Sequence, residues 1–175
     1  SNIKMTIEIS SDINQYKVIS QPTKKKLAIV VPTQKFNLNN TEEEVIQRLS
    51  KLYSGKYSLY LVIPEDSTIN YEEKGFKNIY LDSKFFYNGI QGNNNLCLDV
   101  NFYKIFQNYN FMLMHHVDAI ILKDEVEHWI SKNYSYIGGP SFHKNLFTKE
   151  PIFPKYFCNG GLSLRKISDF IMVLN

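Results

Sequence analysis

Phe111-Met-Leu-Met-His-His-Val-Asp-Ala-Ile-Ile-Leu122 is an apolar run with one carboxylate, Asp118, in its middle and two histidines just ahead of it. A long apolar run without helical spacing predicts a strand covered on both faces, as in a parallel sheet. Burying an unpaired carboxylate costs several kcal/mol, roughly. Asp118 is therefore expected near the carboxyl end of the strand, where ligands of open α/β sheets collect, or in a buried pair. Alternation puts His116 on the Asp118 side of the strand and His115 on the other.

Working outward, the chain alternates strand and helix signals. Met5 to Ser10 and Tyr16 to Ser20 read as short N-terminal edge strands. Leu27 to Val31 is a buried strand closed by Pro32-Thr33. Thr41 and Glu44 have the spacing of a capping box, followed by Val45, Leu49 and Leu52 at helical intervals. Tyr57 to Ile63 and Asn78 to Asp82 are further strands. Leu98, Phe102, Ile105 and Phe106 mark a helical face between residues 96 and 109. Asp124 caps a helix through Ile130, and Tyr134 to Ile137 is extended. A loop spans 141–157, and a last helix runs from Arg165. This order predicts one three-layer α/β domain over 1–175, with edge strands in 1–26, an α/β core in 27–175 and a mainly parallel sheet. The apolar helix Ile167 to Leu174 at the chain end predicts a piece cut from a longer domain.

Composition narrows the function classes. Over 175 residues the hydrophobic share is 43% and the net charge is +3, which fits a globular domain and gives no argument for nucleic acid. Lys24-Lys25-Lys26 is the one basic cluster, a solvated strand entry or a peripheral contact with anionic lipid. Tyr and Phe, 12 of each, fill the core or line a sugar or base site. Cys97 and Cys158 lack metal spacing, which predicts a reduced, cytoplasmic chain. No apolar run reaches the length of a membrane span.

A carboxylate at a strand end can ligate Mg²⁺ or Mn²⁺ and, through it, a diphosphate. The alternative is a structural, hydrogen-bonded aspartate. His116 can act as a ligand or a base, or fill a polar corner. Asn159-Gly160-Gly161 and Gly138-Gly139-Pro140 allow close approach of a ligand to the backbone, or are plain turns. Gly92-Asn93-Asn94-Asn95, read as the lead-in to a helix, can offer N–H groups to a phosphate. Pro32-Thr33 ends a core strand, where a nucleotide base often rests in such sheets.

The blocks Tyr109-Asn-Phe-Met-Leu-Met-His-His-Val-Asp-Ala-Ile-Ile-Leu-Lys-Asp-Glu-Val-Glu-His-Trp129, Tyr134-Ser-Tyr-Ile-Gly-Gly-Pro140 and Asn159-Gly-Gly-Leu-Ser-Leu-Arg165 resemble, in order, those of an uncharacterised family similar to the GT-A glycosyltransferases. That family carries Gln-x-Asp-Ala, an acidic helix with Trp, Tyr-x-Tyr-Ile-Gly-x-Pro and Asn-Gly-Gly-x-Ser-Leu-Arg. The resemblance implies a Rossmann-like GT-A fold that binds a nucleotide-diphospho-sugar donor and passes its sugar to an acceptor hydroxyl. It implies Asp118 as the diphosphate- and metal-binding acid, with Mn²⁺ or Mg²⁺ as cofactor. It implies Asn159, Gly160 and Gly161 beside donor sugar or acceptor, and Pro32 and Thr33 near the base. Two positions depart from the pattern: His116 replaces Gln, and Ile120 replaces the second acid of Asp-x-Asp. A catalytically inactive nucleotide- or sugar-binding module of the same fold is the alternative. A segment beyond Asn175 is expected to complete the site.

Overall fold

Lys25-Lys-Leu-Ala-Ile-Val-Val-Pro32 forms strand β3, whose lysines are exposed while Leu27 to Val31 are at most 1% exposed. Such a strand, apolar on both faces, is stable only between two helical layers. The computed structural model describes residues 5–8, 17–20, 23–140, 143–144, 151–152 and 158–175, with side chains described for 23–89, 91–139 and 160–175. Ahead of β3 lie β1 (Met5–Glu8) and β2 (Lys17–Ser20), which pair antiparallel with each other. They form a separate two-stranded sheet rather than an edge of the main one.

After β3 come α1 (Asn40–Tyr53), β4 (Ser58–Pro64), β5 (Phe76–Leu81), α2 (Gly89–Leu98), α3 (Val100–Ile105), β6 (Tyr109–His115) and α4 (Val126–Ser131). They are followed by β7 (Tyr136–Pro140), β8 (His143–Lys144), β9 (Pro151–Ile152), β10 (Cys158–Lys166) and α5 (Ile167–Leu174). The main sheet has six strands in the order β5-β4-β3-β6-β10-β7. Leu27, Ile29, Val31, Phe111 and Leu113 pack against α1 and α4. Ala28, Val30, Met112 and Met114 pack on the opposite face against α2, α3 and α5. The three-layer α/β architecture expected from the sequence is present.

The sheet is mixed, which corrects the expectation of a mainly parallel one. The pairings β5·β4, β4·β3 and β3·β6 are parallel, while β10 runs antiparallel to both β6 and β7. A parallel return requires a long crossover, usually a helix. The described part of the β7–β10 connection is the β8·β9 pairing instead.

Other boundaries shift for local reasons. The capping box of α1 is Asn39 with Glu42, not Thr41 with Glu44: Asn39 Oδ1 accepts from Glu42 N at 3.0 Å, and Glu42 Oε2 accepts from Asn39 N at 3.0 Å. The helical stretch expected over 96–109 is two helices, divided at Asp99, whose carboxylate accepts from Asn101 N at 2.8 Å. Leu98 and Ile105 consequently face solvent, and Leu96, Phe102, Tyr103 and Phe106 fill the core. Strand β6 stops at His115, so Ile120 and Leu122 are exposed in the segment beyond it. Arg165 lies in strand β10, which runs to Lys166, and the last helix starts at Ile167. No helix among the described residues is long and apolar enough to cross a membrane.

Candidate functional site

The carboxyl ends of β3 and β6 lie side by side, because Val30 pairs in register with Met114. β3 gives way to Thr33, which is 6% exposed and whose N–H donates to Val62 O at 2.9 Å. Beyond β6, His116 N–H donates to Gly161 O at 2.7 Å, and Ala119 N–H donates back to His116 O at 3.2 Å. This turn lifts Asp118 out of the sheet. From α1, Arg48 Nε donates to Ile121 O at 2.9 Å and a terminal nitrogen donates to Leu122 O at 3.0 Å, so the tail of the apolar run is pinned over the helix.

Two hollows open here. One, of about 380 Å³, is bounded by Pro32, Thr33, Glu42, Phe86, Asn93 and Asp118. The other, of about 460 Å³, is bounded by Asn94, Cys97, Gly160, Gly161 and Arg165. They share Asn93, His116 and Asp118 as a common wall. The fold thus brings Pro32, Thr33, His116, Asp118, Gly160 and Gly161 together. Asn159 pairs through its backbone with Gly139; its side chain lies outside the described residues.

Asp118 is exposed and its carboxylate has no hydrogen-bond or ion-pair partner among the described residues. It is neither buried nor locked in a salt link. His116 is different. Its Nε2 is buried without a hydrogen-bond partner, and burial lowers its pKa, an effect that Asp118 opposes and Arg165 reinforces. His115 bounds neither hollow. It is 0% exposed, neither ring nitrogen makes a well-aligned hydrogen bond among the described residues, and burial pushes its pKa down to about 4 against weak contacts with the backbone of His115 and His116.

Gly139 and Gly160 at the rim have neither a left-handed backbone nor an unusually tight contact: an added Cβ would lie 4.0 Å from Leu162 O and 3.6 Å from Arg165. Between Asn159 and Ser163 the register of β10 against β7 slips, so Gly160 to Leu162 bulge at the rim. Gly92 lies inside α2, so the phosphate-cradling role expected of 92–95 is not available: those N–H groups belong to a helix interior. A Cβ at Gly92 would meet Phe85 O at 2.8 Å, which fixes the residue type there.

The sequence reading gave no site role to Glu42 or Arg165 and weighed Asn93 and Asn94 only for their backbone N–H groups. Glu42, read only as part of a helix start, bounds the first hollow, paired with Lys35 in a bond that lowers its pKa. From α2, Asn93 bounds both hollows and Asn94 the second. Arg165, read as the end of a motif and the start of the last helix, is 3% exposed. Its one sequence signal is a charge alternating with Leu162 and Leu164 in a core strand. Among the described residues no three His, Cys, Asp or Glu side chains gather as a metal cage.

Residues 75–175, more than half of the chain, match a family model described as "Protein of unknown function (DUF5672)". The match includes β6, the Asp118 turn and β10, and starts after Pro32 and Thr33. No curated protein matches the chain.

Proposed function

The chain belongs to the DUF5672 family, and we propose that it is a sugar-transferase domain that moves a sugar from a nucleotide-diphospho-sugar to an acceptor hydroxyl. The observation that carries this reading is an uncommitted carboxylate, Asp118, where two hollows meet at the carboxyl end of an α/β sheet. That is where ligands of such sheets bind. In this reading the fold is of the GT-A type, and Pro32 and Thr33 form the wall for the base. Gly160 and Gly161 let sugar or acceptor approach the β10 bulge. In transfer, the bond from the anomeric carbon to the diphosphate oxygen breaks and a bond to the acceptor oxygen forms. His116, which bounds both hollows and is held neutral by burial, takes the acceptor proton.

Mg²⁺ or Mn²⁺ fits this site as a shared ion. Such ions are commonly held by one or two carboxylates together with ligand phosphates, and Asp118 is the protein carboxylate available for that. When bound, the ion neutralises charge on the departing diphosphate. The unpaired Cys97 thiol fits a reducing, cytoplasmic setting.

A binding module without chemistry is the second reading, favoured by Ile120 at the place of a second acid and by the lack of a metal cage among the described residues. Thermal shift with UDP-, GDP- and CMP-sugars plus Mn²⁺, followed by transfer or hydrolysis measured on each hit, separates the two. Asp118→Ala is expected to lower turnover by about 10²-fold or more without lowering Tm, since the side chain is exposed and unpartnered. Unchanged turnover in that variant removes the transferase mechanism.

A further inference from the structure

We infer that the 460 Å³ hollow beside Asp118 is an anion subsite, and that the Arg165 guanidinium receives a phosphoryl or diphosphate group there. Arg165 is 3% exposed, yet among the described residues no carboxylate forms an ion pair with it. Its partners are Ser163, Tyr103, Gly160 and the Cys97 thiol, none of them a carboxylate. Nε donates to Ser163 Oγ at 3.0 Å, one terminal nitrogen to Tyr103 Oη at 2.6 Å, and the other to Gly160 O at 3.2 Å. The Tyr136 and Phe170 rings lie 5.9 and 5.6 Å from its Cζ.

This arrangement fixes the fork without supplying a counter-charge. Those bonds and the Cys97 contact take up at least three of the five N–H donors of an arginine. A buried cation without its anion is a costly arrangement. Here it borders a polar hollow, and its planar fork suits a phosphate.

Asp118 bounds the same hollow without pairing to Arg165, so the site is dipolar. An anion toward Arg165 and a hydroxyl or divalent cation toward Asp118 satisfy both ends. A hydroxyl-bearing phosphate ester, such as a sugar linked to a diphosphate, has that chemistry. This deepens the transferase reading and rests on it for the identity of the ester; the anion subsite itself is measured separately.

Isothermal titration with inorganic pyrophosphate, with and without Mg²⁺, tests the subsite. Binding is expected, weakening as salt is raised. Arg165→Gln should weaken it about tenfold or more. Because Arg165 is buried, Asn94→Asp provides a second variant: it sets a carboxylate at the exposed rim of the hollow and should also weaken the anion. Absence of pyrophosphate binding overturns the subsite, as does unchanged affinity in a folded Arg165→Gln. If Arg165→Gln does not fold, unchanged affinity in Asn94→Asp overturns it. Pyrophosphate binding that is lost in Arg165→Gln, with no turnover of any nucleotide-sugar, supports the subsite and removes the transferase reading. Full turnover in Arg165→Gln overturns the subsite and leaves that reading standing.

Discussion

His115 and His116 are consecutive in sequence and end in opposite environments, one inside the core and one at the wall of a crevice. The buried one has a thermodynamic consequence. An unfolded histidine titrates near 6.5, whereas His115 in the fold takes a proton only near about 4. Between these values the unfolded chain binds a proton that the folded chain excludes. Its stability is therefore full above about pH 6.5 and falls by about 1.4 kcal/mol per pH unit toward pH 4, on the order of 3 kcal/mol in all. His115→Leu removes this dependence, and at pH 7 it is neutral or stabilising because two buried nitrogens without a well-aligned hydrogen bond disappear. Urea midpoints at pH 7.5 and 4.5 for both chains check this; the paired carboxylates contribute equally to each and cancel. Identical acid losses in the two chains refute it. Alternation along the strand separates the two histidines from the sequence alone. That Arg165 lies buried was not legible, because besides its own strand neighbours Ser163 and Gly160 it is held by Tyr103, 62 positions away.

At the scale of elements, α1 shows why helix starts are ambiguous in sequence. Residues 39–42 and 41–44 both carry the capping spacing. The choice falls on Asn39 and Glu42, and Glu42 is also held by Lys35 from the loop after β3. Asn39→Ala is expected to cost about 1 kcal/mol, while Thr41→Ala, at an exposed position, changes stability by less than about 0.5 kcal/mol. Chemical denaturation of the two variants gives the answer, and a larger loss in Thr41→Ala contradicts the assigned cap. The Asn run 93–95 illustrates the reverse problem. Its composition reads as loop, yet it is helical because Leu96 packs into the core and Gly92 fits closely against Phe85 O.

Across the whole molecule, the segment from Phe111 to Leu122 divides at His115 into a buried strand and an exposed tail. Replacement of the β3 core residue Ile29 by Ala is expected to cost about 2–5 kcal/mol, whereas Leu122→Ala, 83% exposed, lowers stability by less than about 0.5 kcal/mol. Thermal and urea unfolding of both measure the contrast, and comparable losses would mean that the tail is part of the core. Fold class, the existence of β3, β4 and β6, and the placing of Asp118 near a strand end follow from local patterns: apolar runs, helical spacing and the cost of burying a charge. These act over a few residues, so the sequence alone determines them. The reversed β10, the end of β6 and the meeting of Pro32, His116, Asp118 and Gly160 at one crevice depend on which strands become neighbours. Tertiary structure alone decides that, because pairing energies act between residues up to more than a hundred positions apart, as between Lys26 and Glu127, and leave no periodic trace along the chain.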